Sequence, residues 1–95
     1  MNLRWDPCAI QDAHDIHRYI AAHGSQGAAE RVRQHLNTRI NQLQRHPYLG
    51  KKSSNSEVQM LLATRYPYRI YYTVNLNEIV ILHIRHTSRR APDDL

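Results

Sequence analysis

Two segments in the C-terminal half of the chain decide its fold. They read RYPYRIYY over residues 65–72 and IVILHIRHTSRR over residues 79–90. Both are rich in β-branched and aromatic residues, and the turn residues Asn75 and Asn77 lie between them. The pattern predicts two antiparallel strands. Arginines stand at both ends of this predicted pair, where they are placed to converge on one rim of a sheet, and this rim is where we expect function.

The length and composition of the chain limit what it can be. It has 95 residues, of which 41% are hydrophobic, and a single cysteine, Cys8. A core of this size cannot be divided, so residues 1–95 are predicted to form one domain. No apolar run approaches the ~18 residues that span a bilayer, and the first residues lack the apolar segment of a secretory signal. We therefore expect a soluble, cytoplasmic protein without a disulfide, with no role at a membrane.

Positive charge is concentrated in the middle of the chain. The net charge is +5, and residues 31–52 contain six bases and no acid: Arg31, Arg33, Arg39, Arg45, Lys51 and Lys52. Such asymmetry favours an anionic partner, which is either nucleic acid or an acidic protein segment. A charge run is equally typical of a solvated surface, so charge alone does not identify the partner.

The N-terminal half predicts a short strand followed by two helices. Residues 2–5 form the candidate strand, after which Asp6 can cap a helix that runs to about His23. Ser25 can cap a second helix, whose apolar residues recur on a single stripe until His46 meets a proline. The two helices are predicted to form an antiparallel hairpin.

The remaining residues predict the sheet. Residues 48–56 are polar and predict a surface loop, whereas residues 57–63, 67–74 and 78–85 predict three strands. The expected fold class is α+β: a short N-terminal strand and an antiparallel helical hairpin packed on one face of a small, mainly antiparallel sheet.

The predicted strands are apolar on both faces, although the helices can cover only one. Strict alternation places Ile79 and Ile81 on one face, and Val80, Leu82 and Ile84 on the other. An apolar face left open to water is typical of a binding surface. The alternative is that loops and the stems of arginine and tyrosine side chains cover it.

The order of elements, together with specific residues, resembles one family. The residues that carry the resemblance are Trp5, Ala9, Asp12, Tyr19-Ile20, Ala28-Ala29, Leu43, His46-Pro47, Gly50, the segment PYRIYY at 67–72, and His86 with Arg89. With these residues the chain is similar to the RelE/ParE superfamily of bacterial toxins over nearly its whole length. The resemblance implies a toxin that a cognate antitoxin holds inactive. RelE-like members cleave mRNA on the ribosome, whereas ParE-like members poison DNA gyrase.

The residues allow a choice between these two branches. Metal-free RNA cleavage needs a base, an acid and a cation that stabilises the developing charge on phosphorus. Several RelE-like enzymes place lysines on the strand before the Tyr-Arg strand and a tyrosine near the C-terminus. Here residues 58–63 contain no lysine, and nothing aromatic follows Arg90. The ParE-like branch is therefore favoured, without a catalytic residue, metal or cofactor. If the chain is a nuclease, Arg69, His86 and Arg89 are the catalytic candidates, and Lys51, Lys52 or His83 could substitute.

Two sets of residues are predicted to bind partners. The partners are a cognate antitoxin, in a hetero-oligomer, and DNA gyrase, with the ribosome and mRNA as the alternative to gyrase. The target-binding set consists of Arg65, Arg69, Arg85, His86, Arg89 and Arg90. The antitoxin-binding set consists of Arg31, Arg39, Leu61, Tyr71, Lys51 and Lys52. For Arg69 and Arg85 the alternative is a salt bridge at a strand end.

A simple nucleic-acid-binding module is the third hypothesis. It is the weakest of the three, because Arg31, Arg39 and Arg45 point to different sides of the second helix and make no continuous basic stripe.

Overall fold

Five strands form one mixed sheet, and two helices pack on one of its faces in the computed structural model, which describes residues 1–55, 57–93 and 95. The elements are β1 (Asn2–Trp5), α1 (Pro7–His23), α2 (Gln26–Gln42), β2 (Lys51–Lys52), β3 (Gln59–Leu62), β4 (Tyr68–Val74) and β5 (Glu78–His86). The strand order is β1-β5-β4-β3-β2, with β1 parallel to β5 and the other neighbours antiparallel. The predicted α+β class and the mainly antiparallel sheet are confirmed.

Side chains at the start of each helix satisfy the first free backbone N–H groups. The carboxylate of Asp6 accepts from the N–H of Cys8 at 2.9 Å, and Pro7 begins α1. The hydroxyl of Ser25 accepts from the N–H of Ala28 at 3.0 Å and begins α2. These contacts confirm both predicted helix starts.

The second helix ends earlier than the sequence predicted. It stops at Gln42, and the prediction that it continues to His46 was wrong. The N–H of Leu43 bonds to the carbonyl of Ile40, and the N–H of Arg45 bonds to the carbonyl of Gln42, so these bonds span three residues. The chain therefore tightens into turns after Gln42, which the apolar spacing alone did not reveal.

The core lies between the helices and the inner face of the sheet. Six of its larger side chains are almost completely buried, and each contributes roughly 1.5–3 kcal/mol through removal of apolar surface from water. These are Tyr72, Ile40, Leu43, Ile70, Ile79 and Ile81. Val32 and Leu36 of α2 and Ala9 of α1 complete the helical side of this core.

A β-bulge shifts the alternation of β5. Tyr72 pairs with Ile81 and Tyr71 with His83, which leaves Leu82 as an extra residue. Because of this extra residue, Ile84 joins Ile81 on the inner face and is only 2% exposed. The prediction that Ile84 lies on the opposite face was therefore wrong.

The segment predicted as a polar loop contains the edge strand β2. Lys51 pairs with Met60, and Lys52 pairs with Gln59. Just before β2, the backbone at Gly50 lies close to Met60 of β3 and to Tyr72 of β4. The N–H of Gly50 donates to the hydroxyl of Tyr72 at 3.0 Å. A Cβ atom at Gly50 would lie 2.6 Å from the carbonyl oxygen of Met60, so only glycine fits there. Ser56, at the end of the predicted loop, lies outside the described residues.

The predicted strand at residues 57–63 is shorter in the structure, where β3 covers Gln59–Leu62. Over the residues that the structure describes, no helix is long and apolar enough to cross a membrane.

Candidate functional site

The predicted arginine rim lies at one end of the sheet, where β4 begins and β5 ends. Arg69 of β4 pairs directly with Arg85 of β5, and Leu62 at the end of β3 pairs with Arg69 on its other side. One guanidinium nitrogen of Arg69, Nη1, donates to the carbonyl of Thr87 at 3.2 Å. Like charges directly opposite each other destabilise a sheet, so this pair is unlike the ion pairs that usually stabilise strands.

His86 points to the inner face, away from this arginine pair. It lies opposite Tyr68, and their rings meet edge to face with centroids 5.5 Å apart. The backbone N–H of Ser88 donates to Nδ1 of His86 at 3.0 Å. Because a backbone N–H can only donate, the proton of the neutral ring lies on Nε2. Burial raises the pKa of Tyr68, and the proximity of Tyr19 adds to this, so the phenol stays protonated at neutral pH.

A cleft of about 790 Å³ separates the end of β5 from α1. Its lining combines carboxylates and Tyr19 from α1 with Tyr68, His86 and arginines from the other side: the carboxylates are Asp12 and Asp15, and the arginines are Arg85 and Arg89. The same two arginines also line a depression of about 380 Å³ together with Arg90, Pro92 and Asp93. Arg85 and Arg89 therefore stand on the boundary between the two concave surfaces.

The structure places the other members of the target-binding set at the same end of the molecule. Arg65 lies in the turn between β3 and β4, and its guanidinium carbon is 5.8 Å from the centre of the Tyr66 ring. Arg89 and Arg90 follow β5 and are exposed. Within residues 1–55, 57–93 and 95, no rim arginine forms an ion pair. Five positive charges thus stand at this end, with His86 on the opposite face from Arg69.

The predicted antitoxin-binding residues do not share one surface. Leu61 pairs with Ile70 on the inner face and is 3% exposed, so it belongs to the core. Its neighbour Leu62 is 43% exposed. Because Leu61 and Leu62 are adjacent, the sequence alone does not show which of the two leucines faces the core.

The basic members of this set lie on α2 and β2. Arg31 is exposed on α2, whereas Arg39 uses Nε and Nη2 to donate to the carbonyl of Leu62 at 3.2 and 2.9 Å. Lys51 and Lys52 are exposed on the edge strand. Arg39 therefore closes the free edge of β3, and the lysines remain available to an acidic partner.

The outer face of the sheet is less open than the alternation predicted. Tyr71 is 4% and Val80 is 5% exposed, although both point away from the helices. The buried Pro92 of the C-terminal segment lines a depression beside Arg85. Tyr71 and Val80 are therefore not part of an open apolar face, and Leu62 is 43% exposed on the same side of the sheet.

No group of three or more His, Cys, Asp or Glu side chains within the described part of the chain is arranged to hold a metal ion.

Comparison with known proteins identifies the family. The model for the ParE toxin of the type II toxin–antitoxin system parDE matches residues 3–91. The comparison with curated proteins gave no match. Among solved structures, the chain is similar to one described as the chromosomal ParDE TA system from P. aeruginosa. That likeness has a TM-score of 0.82 and 25% identity, and it covers 90% of this chain and 95% of the other. The fold, the arginine-bearing strands and the match over residues 3–91 together show that the chain belongs to the ParE toxin family of type II toxin–antitoxin systems.

Proposed function

We propose that this toxin inhibits DNA gyrase in the cytoplasm, and so blocks replication, until a cognate antitoxin neutralises it. The main support for this proposal is the identity of the two residues that pair with Arg69 on the adjacent strands. These are Leu62 on one side and Arg85 on the other. A cationic and apolar surface of this kind can bind an anionic protein surface, but a leucine and a second arginine supply no group that moves a proton near neutral pH.

The positions of two nuclease candidates, Arg69 and His86, support the same branch. Residues adjacent along a strand point to opposite faces, and Tyr68, the neighbour of Arg69, shares the inner face with His86. Arg69 and His86 therefore cannot act on one phosphate without rearrangement.

Lys51 keeps the ribosome-dependent endonuclease as the second candidate. It pairs with Met60, which in turn pairs with Tyr71 on the outer face, so Lys51 belongs to the row next to that of Arg69. Lys51 and Arg69 are two strands apart across the sheet and two residues apart along it, so their Cα atoms are about 12 Å apart. A lysine at that distance can reach an RNA strand bound across the sheet.

Two parallel assays separate these candidates. Purified toxin is added to a gyrase supercoiling reaction, and separately to a translation reaction in which mRNA cleavage is followed by primer extension. We expect loss of supercoiling with intact mRNA. Cleavage of mRNA with normal supercoiling would assign the endonuclease function, and a Lys51→Ala variant that abolishes that cleavage would identify its base. If the toxin neither inhibits supercoiling nor cleaves mRNA, both candidate functions are wrong.

The antitoxin is expected to bind through an acidic, amphipathic segment that folds on contact. The exposed Lys51 and Lys52 of β2, with the apolar Leu62 nearby on the outer face, suit such a segment. Binding of the neighbouring gene product should weaken as salt rises, because ion pairs at an exposed surface are screened. A Lys51→Glu, Lys52→Glu variant should bind less tightly, and an Arg18→Glu variant on α1 serves as the control. Equal affinity of both variants would contradict this surface.

A further inference from the structure

An apolar residue projects from the end of the sheet opposite the arginine rim. The turn between β4 and β5 is closed by the N–H of Asn75, which donates to the carbonyl of Glu78 at 2.8 Å. Between them, Leu76 is 96% exposed. The turn needs residues such as Asn75 and Asn77, but it gains nothing from a leucine that water surrounds.

A groove of about 900 Å³ lies directly beside this leucine, and we call it the hairpin-tip groove. Its walls come from the hairpin, from the N-terminus and from the segment that follows α2: Met1, Pro47, Tyr48, Val74, Asn75, Leu76, Asn77 and Glu78. Tyr48 is 69% and Met1 is 41% exposed. The only side chain in this lining that is charged at neutral pH is Glu78, which pairs with Arg4 at 3.2 Å.

We propose that two copies of this chain associate through the hairpin-tip groove, with Leu76 of each copy lying in the groove of the other. A two-fold interface uses the same surface on both partners, so that surface must contain both a projection and a recess that accepts it. The hairpin tip contains both within a few residues. Each copy then removes a leucine and part of Tyr48 from water, which is the apolar burial that favours association.

The distribution of charge supports the same pairing independently. The chain carries a net charge of +5, and five of its arginines stand at the far end of β4 and β5. Leu76 lies beyond Val74, the last residue of β4, which is five residues or roughly 17 Å along the strand from Arg69. This distance exceeds the Debye length of ~8–10 Å at physiological salt. Contact through the hairpin tip therefore keeps the two arginine rims far apart and leaves both exposed.

The size of the groove indicates a weak dimer. Eight residues line it, whereas stable interfaces use about 20–30 residues a side. We therefore expect weak affinity, with a contact that forms when copies are brought close together.

Sedimentation equilibrium of the full chain, made by cell-free synthesis, tests the proposal. Samples from ~1 µM to ~1 mM should change from monomer to dimer. A Leu76→Asn variant should raise the dissociation constant about 100-fold, because burial of each of the two leucines accounts for roughly a factor of ten or more. The control is Ile10→Asn, since Ile10 is 45% exposed on α1 and lies outside the groove. It should dimerise like the parent.

Two results would overturn the proposal. The first is a parent chain that remains monomeric over the whole range of concentrations. The second is a dimer that Leu76→Asn leaves unchanged or that Ile10→Asn disrupts instead, which would move the contact to another surface. Thermal melts of both variants should coincide with that of the parent, since both side chains lie on the surface.

Discussion

The carboxylate of Asp12 accepts a hydrogen bond from the backbone N–H of Ile84, with an N to Oδ2 distance of 3.0 Å. It thereby joins α1 to the edge of the sheet. β1 ends at Trp5, which pairs with Ile81, so β1 does not reach the last residues of β5. The carboxylate of Asp12 supplies the acceptor that a longer β1 would have provided for the N–H of Ile84. A buried N–H without an acceptor would reduce the stability of the fold. The Oδ2 atom of Asp12 also lies 3.1 Å from Nδ1 of His83.

Replacement of this carboxylate should destabilise the fold. In Asp12→Ala the N–H of Ile84 loses its acceptor, and we expect a loss of about 1–3 kcal/mol in the free energy of unfolding. Urea unfolding followed by circular dichroism measures it. Asp15→Ala is the control, because that carboxylate is exposed and bonds only to α1 residues, Gln11 and Arg18. Equal stability of Asp12→Ala and the parent would show that water replaces the carboxylate without loss.

Two glycine substitutions should have opposite effects on stability. Gly50→Ala places a Cβ atom 2.6 Å from the carbonyl oxygen of Met60 and 2.8 Å from the hydroxyl of Tyr72, so β2 must move. We expect a loss of about 1–3 kcal/mol, as for other overpacked sites. Gly27→Ala meets the flexible end of Arg31 at 3.4 Å and the hydroxyl oxygen of Ser25 at 3.9 Å, so it should stabilise α2 by up to ~1 kcal/mol. Shifts of the melting temperature in the same direction would contradict this contrast.

The arginine pair should matter for toxicity and little for folding. We expect Arg69→Ala, Arg85→Ala and the double variant Arg89→Ala, Arg90→Ala to lower growth arrest and gyrase inhibition. Exposed charges contribute roughly 0–1 kcal/mol to stability, whereas arginines desolvated at an interface can account for several kcal/mol of binding. Arg18→Ala on α1 controls for loss of charge. If the rim variants melt like the parent and remain fully toxic, the active surface lies elsewhere.

Core substitutions should abolish toxicity by a different route. Leu36 is 4% exposed and Ile81 is fully buried, so truncation of either to alanine should reduce stability by about 2–5 kcal/mol. Ile16 is only partly buried beside the same core, and Ile16→Ala should be milder. Thermal melts followed by circular dichroism rank the three. A large effect at Ile16 and a small one at Ile81 would contradict the packing described here.

One surface carboxylate offers a check on α2. A hydrogen bond from Arg33 holds the pKa of Glu30 below its usual value of 4.5. Because the folded pKa is the lower one, this contact stabilises the fold above pH 4.5 and is lost as the pH falls through the folded pKa. Arg33→Ala should raise the pKa of Glu30, which NMR titration of its carboxyl group measures. Arg31→Ala, on the same helix, should leave it unchanged.

The spacing of apolar residues in the sequence predicted the helices and strands that bury an apolar face. It did not predict elements that bury no apolar side chain. Both helix starts and the pairing of β4 with β5 follow from capping residues and alternating side chains. The strand β2 could not be predicted in this way, because Lys51 and Lys52 bury nothing and pair only through their backbone. The bulge at Leu82 could not be predicted either. In an unbroken run of apolar residues, the sequence does not show which of them face the core. The phase of this alternation decides which residues of the rim share a face.

The parallel pairing of β1 with β5 also governs when the toxin can fold. Asn2 pairs with Glu78, so β1 cannot pair until β5 has been synthesised. Contacts so distant in sequence form slowly, because closing the intervening loop costs entropy. The growing chain therefore cannot complete its sheet, or set Arg85 beside Arg69, until β5 has been synthesised. We expect an antitoxin that is already in the cell to meet each new toxin chain before it has acquired its active shape.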